Sequence, residues 1–371
     1  MMQPFVPEKL PIQNINWERL STLLGETNAE MGRYDGLLEA MPNPEILLSP
    51  LTRREAELSS KIEGTQSTMS EALAYEAGQD IDKSKIEDIN VLRNYRKTLI
   101  FAEQELRNGK PFSLYFLKEM HGMLMKNSRW DSSTNPGEFR TKQVFIGQKN
   151  APLKDVRYIP PQHFLIREYM DNWEDYLANS PEEKLVKTAI IHAQFEIIHP
   201  FDDGNGRIGR MIITLFLYLS KVLQKPMFYM SQYLENNKTQ YYECLRDITQ
   251  KAAWQQWLEF FLTAMRSQTI ENIKKVREIN NLYKQKLQEF KETTKSQYYK
   301  CALDAFFKRP IINSVVFAQK ADIESHNTAR NMLKKLEQKG IISKIKAGKG
   351  QAPSIYLFKD IIDLVEEQKR Q

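Results

Sequence analysis

The 371-residue sequence predicts a mainly α-helical protein. Three observations carry that expectation. Residues 211–219 read Met-Ile-Ile-Thr-Leu-Phe-Leu-Tyr-Leu, apolar nearly all round, as a helix buried on every side is. A Lys-rich run near 266–296 reads as one long helix. The β-prone runs are short, bounded by turn residues, and confined to 137–160 and 341–358.

The first element with local detail is a helical stretch that begins near Arg53 and ends in Ser59-Ser60-Lys61-Ile62-Glu63-Gly64, with Gly64 as its C-cap. A carboxylate at a helix C-terminus is electrostatically disfavoured unless a cation answers it, so Glu63 calls for a basic partner. Further on, Gly137-Glu138-Phe139-Arg140-Thr141-Lys142-Gln143-Val144-Phe145-Ile146-Gly147 is followed by a polar tip. Val156-Arg157-Tyr158-Ile159-Pro160 then completes two runs that predict a hairpin.

The chemistry concentrates in His199-Pro200-Phe201-Asp202-Asp203-Gly204-Asn205-Gly206-Arg207-Ile208-Gly209-Arg210. This turn stands on the N-terminus of the apolar helix, where backbone N–H groups lack internal partners and the dipole is positive. Such an end binds phosphate. Gly204 and Gly206 can take positive φ and admit an anion closely, and Asn205 is the non-glycine residue that best tolerates the left-handed region. Arg207 and Arg210, three apart, offer guanidinium forks to phosphate oxygens. Asp203 is a hard ligand suited to Mg²⁺, and His199 is a base with an unperturbed pKa near ~6.5 that can accept a proton from a hydroxyl. Solvated charges on a helix end are the bland alternative, but six convergent positions in twelve residues point to a nucleotide triphosphate site.

Residues 199–210 resemble the Fic (Fido) domain motif His-x-Phe-x-(Asp/Glu)-Gly-Asn-Gly-Arg-x-x-Arg at every fixed position. The resemblance implies transfer of AMP from ATP to a Ser, Thr or Tyr hydroxyl of a protein. It makes His199 the base and Asp203 the Mg²⁺ ligand. Gly204, Asn205, Gly206, Arg207, Ile208, Gly209 and Arg210 become the nucleotide cradle, and Phe201 a core anchor. The hairpin resembles the flap over the active site, with Val144, Phe145 and Ile146 at its edge. Such an edge can pair with an extended target segment through main-chain hydrogen bonds.

Ser59 to Gly64 also match the family's inhibitory pattern (Ser/Thr)-x-x-x-Glu-(Gly/Asn), in which Ser59 opens the motif and Glu63 pairs with Arg210. The γ-phosphate is thereby kept from its productive position. This is the class with an N-terminal intramolecular inhibitor. Tyr242 and Thr249 lie where relatives place residues around the adenine, although an amphipathic core helix explains them equally well. His192, seven residues before His199, has no third ligand at metal spacing and reads as structural.

The C-terminal region carries the basic excess. From 266 to 371 there are 22 Lys and Arg against 12 Asp and Glu, within a chain of net charge +6. Residues 298–307, 311–320 and 325–340 predict three helices, and 341–346 with 354–358 a two-stranded wing. This resembles a winged helix-turn-helix capped by Ser325. Asn327, Thr328 and Arg330 are available to base edges, and Lys346 and Lys349 to phosphates. A protein-interaction or dimerisation module fits this fold-level likeness equally.

The expected organisation is an N-terminal helical region with the inhibitory helix (1–110), the catalytic core (111–265), a linker helix (266–296) and the winged helix (297–371). Only Cys244 and Cys301 occur, the start of the chain lacks a basic region followed by an apolar run, and no apolar stretch spans a bilayer. The protein is accordingly expected in the cytoplasm, away from membranes. Its partners are a hydroxyl-bearing protein target, DNA through the winged helix, and a second copy in a homodimer. ATP is the substrate and Mg²⁺ the cofactor. The rivals are transfer of another phosphate-containing group, removal of AMP, and a nucleotide-sensing DNA-binding regulator. An intact base argues against the last.

Overall fold

The computed structural model describes residues 3–126, 135–147 and 156–366. In chain order the helices and strands begin with α1 (Trp17–Glu39), α2 (Pro44–Leu47), α3 (Ser49–Ile62), α4 (Met69–Glu76), α5 (Lys83–Arg107) and α6 (Leu114–Leu124). A hairpin, β1 (Ile146–Gly147) and β2 (Val156–Tyr158), precedes α7 (Ile166–Asn179), α8 (Lys184–Ile198) and α9 (Asn205–Leu219). Then come α10 (Ser231–Asn236), α11 (Lys238–Lys251), the long α12 (Trp254–Thr294) and α13 (Tyr299–Lys308). The chain continues through β3 (Ile311–Asn313), α14 (Ser314–Lys320), α15 (His326–Gln338), β4 (Ser343–Lys346), β5 (Ile355–Leu357) and α16 (Lys359–Glu366). No helix among the described residues is long and apolar enough to cross a membrane.

Two compact units are present, and each is assembled from segments remote in sequence. One comprises residues 1–35, 58–64 and 94–270, the other 36–57, 65–93 and 271–371. The expected boundaries at 110, 265 and 296 follow the order of the motifs along the chain. The units instead follow packing, and the N-terminal region contributes to both.

In the first unit, α8 and α9 are the central helices. Every residue of α9 from Asn205 to Leu217 is buried, as its nearly all-round apolar sequence requires. α8 starts where the Glu183 carboxylate accepts from the N–H groups of Leu185 and Val186, and it stops at His199, a left-handed cap with φ 50°. Around them pack the fully buried Phe116, Trp173, Phe201, Trp257 and Phe261, against Phe195 of α8. The Trp173 and Trp257 indole N–H groups donate to the carbonyls of Ile191 and Ala189, at 2.8 and 3.0 Å, so both large rings are buried without an unpaired donor.

In the second unit, α13, α14 and α15 accompany a three-stranded antiparallel sheet of order β3-β5-β4. Phe290, Phe306 and Phe358 form its aromatic centre. The expected helix over 311–320 begins later, because Ile311 to Asn313 pair with β5. Two β-branched isoleucines favour the strand, and the Asn313 side chain then caps α14 by accepting from Val316 N at 2.9 Å. Segments of the N-terminal region join this unit. Asn313 Nδ2 donates to Ala77 O at 3.0 Å, and Arg53, Arg93 and Arg309 converge on Glu76.

The hairpin ladder is shorter than the β-prone runs suggested. Ile146 pairs with Tyr158 and Gly147 with Val156, while Val144 and Phe145 precede the strand. The polar tip, 148–155, lies outside the described residues.

Candidate active site

The site is built where α8 ends and α9 begins. His199 lies at the end of α8, and Gly204, with φ +79°, caps α9. Only Gly204 among the motif glycines takes positive φ. This corrects the conformational reading of Asn205 and Gly206, both of which are already helical. Asn205 works through its side chain: Oδ1 accepts from Phe201 N at 2.9 Å and Nδ2 donates to Phe201 O at 2.8 Å. One amide thus closes the turn on both backbone groups of a single residue.

Gly206 and Gly209 are glycines for steric reasons. A methyl on Gly206 would overlap Glu63 Oε1 and stand 2.9 Å from an Arg210 nitrogen. One on Gly209 would overlap Glu196 Oε1. His192 braces the same turn, with Nδ1 donating to Gly209 O at 3.0 Å and Nε2 accepting from the Tyr241 hydroxyl at 3.0 Å. Its structural reading therefore rests on two buried hydrogen bonds.

His199 Nδ1 is 3.3 Å from Glu196 O. A carbonyl only accepts, so the ring proton sits on Nδ1 and Nε2 carries the lone pair, with no partner among the described residues. Burial pushes the His199 pKa down to about 4, so the ring is neutral at neutral pH. Asp203 Oδ1 accepts from Gly204 N at 2.6 Å and faces Arg207 at 3.4 Å, whereas its Oδ2 is buried with no partner among the described residues. An orphaned carboxylate oxygen beside a helix N-terminus fits a hard divalent cation. No group of three His, Cys, Asp or Glu at metal spacing occurs among the described residues, so Mg²⁺ would rely on Asp203 and phosphate oxygens.

The two arginines part company. Arg207 approaches Asp203 and Met125, and its Nε has no partner among the described residues. Arg210 is occupied: Nε donates to Ser59 Oγ at 2.8 Å, and Nη2 to Ser59 O at 2.8 Å and to Glu63 Oε1 at 2.7 Å. Burial disfavours the Glu63 anion, but Arg210 outweighs it and holds the Glu63 pKa below the usual carboxylate value. The end of α3 is also held by Lys238, whose ammonium donates to Ile62 O at 2.6 Å, and by the Lys61–Glu235 pair at 3.4 Å. Cations on the last carbonyls of α3 answer its negative end.

Tyr242 is partly exposed and lies against Tyr241, ring centroids 5.2 Å apart. Thr249 is seven residues further along α11, and its hydroxyl donates to Arg246 O at 2.8 Å within that helix. Ile208 is fully buried beneath the turn. On the hairpin, Phe145 is half exposed while Val144 and Ile146 are partly covered.

Three residues of this region escape a reading by spacing alone. His121 on α6 stacks on Phe201 with centroids 3.8 Å apart, accepts from Gly137 N at Nδ1 and donates to Asp203 O from Nε2, both at 2.9 Å. Glu196 is a carboxyl that burial pushes up to about 8, and is therefore protonated at neutral pH. Arg140 is 2% exposed and donates to three carbonyls. Each makes a contact with a residue remote in sequence, and only the Arg140 guanidinium beside a predicted hairpin offered any signal.

Residues 111–217 match the Fic/DOC family, and residues 21–104 match the Fic/DOC family N-terminal region. The chain is similar to a probable protein adenylyltransferase of Aquifex aeolicus, 30% identical over 98 residues that cover 26% of this chain and 28% of that protein. It is also similar to the protein adenylyltransferase fic-1 of Caenorhabditis briggsae, 28% identical over 162 residues covering 43% and 30%. These matches thus span less than a third of either relative's length. Among solved structures, a Fic family protein from Desulfovibrio desulfuricans G20 superposes with a TM-score of 0.60 at 21% identity, over 96% of this chain and 98% of that one. At that identity the likeness concerns the fold.

Proposed function

This chain belongs to the Fic/DOC family, and we propose that it transfers AMP from ATP to a hydroxyl of a target protein and is held off by Glu63. The observation that carries the reading is the pairing of a base with an anion cradle. His199 carries its lone pair on Nε2, and six residues on, the N-terminus of α9 is flanked by Arg207 and Arg210. The target hydroxyl oxygen bonds to the α-phosphorus while Nε2 takes the hydroxyl proton. The bond to the bridging oxygen breaks and pyrophosphate leaves. The helix N–H groups and arginines hold the phosphate charge. Mg²⁺, when bound through Asp203, would neutralise phosphate oxygens.

In this reading Gly204 to Arg210 are the nucleotide cradle, and Tyr242 and Thr249 on α11 flank the base of the nucleotide. Val144 to Ile146 offer the edge on which an extended target segment seats. Ser59 and Glu63 occupy Arg210, the γ-phosphate partner. Free Cys244 and Cys301 suit the cytoplasm as the place of action. The test is incubation of the purified chain, with and without Glu63→Gly and His199→Ala, with α-labelled ATP and cell lysate. Label should appear with Glu63→Gly and vanish when His199→Ala is added. Labelling that survives loss of His199 removes the assignment of the base.

We further infer that 297–371 is a winged helix that binds duplex DNA. Supporting this are the element order α13-β3-α14-α15-β4-β5 and an exposed α15 face with His326, Asn327, Arg330, Asn331 and Lys334. The wing contributes less than its sequence suggested, because Lys346 Nζ is 3.1 Å from Asp80 Oδ2. Salt-sensitive binding to duplex DNA, tighter than to heparin, a polyanionic polysaccharide without base pairs, tests it.

A further inference from the structure

We propose that Arg140 is a positioning residue for the transfer reaction, holding the peptide of His199 in register with both feet of the hairpin. Its guanidinium is buried, 2% exposed, and each of its three nitrogens donates to a backbone carbonyl. Nε donates to His199 O at 2.9 Å, Nη1 to Lys142 O at 3.0 Å and Nη2 to Pro161 O at 2.6 Å. The Arg140 backbone N–H adds a bond to Pro200 O at 2.9 Å. Lys142 stands four residues before β1, and Pro161 three residues after β2. One rigid fork therefore ties the chain entering the hairpin, the chain leaving it and the carbonyl of the base.

His199 needs such a hold. Its φ of 50° is a left-handed conformation that is strained for a residue with a Cβ, and it persists only where surrounding contacts over-determine it. The ring follows its peptide. If the carbonyl of His199 swings, Nδ1 loses its line to Glu196 O and the free Nε2 is no longer guaranteed. Two smaller ties run in parallel: the Tyr158 hydroxyl donates to Ile197 O at 2.8 Å, and Gln143 Nε2 to Pro160 O at 2.9 Å. None of them reaches His199 itself. A target backbone seated on β1 is thus referred to the base through Arg140, without Arg140 touching either reactant.

The inference rests on the proposed transfer reaction, and the experiment separates the two. In the full chain carrying Glu63→Gly, Arg140→Met removes all three donations at similar volume, and Arg140→Lys keeps the charge with a single compact donor. The readouts are affinity for a fluorescent ATP analogue, the rate of label transfer to lysate protein at saturating ATP, and the His199 tautomer from ring ¹³C NMR shifts. Nucleotide affinity should stay within about twofold, because no phosphate contact is lost. The transfer rate should fall about 100-fold for Met, the size of loss that a misplacement of about 1 Å brings, and less for Lys. His199 should pass from a single Nδ1–H tautomer to a mixture in the Met variant. A cooperatively folded Met variant with the parental rate and tautomer overturns the inference. If Met does not fold, an unchanged rate in the Lys variant overturns it. If the Glu63→Gly parent labels nothing, the transfer reading fails while the tautomer still reports on Arg140.

Discussion

A methyl group on Gly206 would overlap the Glu63 carboxylate, so the glycine in the first turn of α9 leaves the space into which the Glu63 side chain fits. Glu63 uses that space to reach Arg210 at 2.7 Å. On the proposed reading the brake and the cradle are therefore one packing arrangement, and a nucleotide that fills the cradle would compete with Glu63 for the same guanidinium.

Removing Glu63 should raise transfer and lower stability together. Glu63→Gly leaves Arg210 with Ser59 as its remaining partner, and an under-paired buried cation costs about 1–3 kcal/mol. The melting temperature of the variant should drop without nucleotide and recover with ATP more than wild type does, by mass action on the folded state. Glu63→Gln, which keeps shape and loses charge, should fall between the two in label transfer. Thermal shifts with and without ATP, alongside α-label incorporation, check the order; equal activity in all three chains removes the brake.

Acid should not release the brake. The Glu63 pKa lies below the usual carboxylate value, so its pairing contributes at neutral pH and is lost only as pH falls through that lowered value. His199, pushed down to about 4, likewise stays neutral. The ratio of Glu63→Gly to wild-type labelling should therefore hold between pH 7.5 and 5.5, about the window in which an unperturbed histidine would titrate. A ratio collapsing near 6.5, the ordinary histidine pKa, would contradict this.

Glu196 should impose the opposite slope on stability. Its carboxyl is pushed up to about 8 by burial, so between the ordinary carboxylate pKa and about 8 the folded chain holds a proton that the unfolded chain has released. Stability falls as pH rises through that window. Glu196→Gln removes the titration, and its melting temperature should match wild type near pH 4.5 and exceed it increasingly toward pH 8, roughly the span of that shift. Parallel melting curves across pH would show that Glu196 is ionised when folded.

Asp203→Asn should raise the Mg²⁺ concentration for half-maximal transfer by about an order of magnitude, since a hard cation depends on ligand charge. The side-chain oxygen can still accept from Gly204 N, so the turn and the nucleotide affinity without metal should hold. Unchanged Mg²⁺ dependence would take the metal elsewhere.

For DNA, Arg330→Glu with Lys334→Glu should weaken binding to all duplexes and reduce the salt slope by about one unit per lost phosphate contact. Lys346→Glu should do less, because its ammonium already faces Asp80. Fluorescence anisotropy across salt concentrations distinguishes them, and a dominant effect at Lys346 would reverse the assignment of helix over wing.

What the sequence by itself determined is what depends on neighbours along the chain. The all-round apolar run became the buried α9, Gly204 became its left-handed cap, and Ser325 capped α15. The twelve motif residues lie together because they are consecutive, and the Glu63 to Arg210 pair was legible only through a family pattern. Tertiary structure decided the rest. Asn205 closes the turn by its amide rather than by a left-handed backbone, and Gly206 and Gly209 are small because Glu63 and Glu196 occupy the space a side chain would need. Ile311 and Ile312 became a strand because β5 was there to pair with them. His121 donates to the carbonyl of Asp203, 82 residues on, and Arg140 to that of His199, 59 residues on, and no periodicity encodes where a buried donor will find its acceptor.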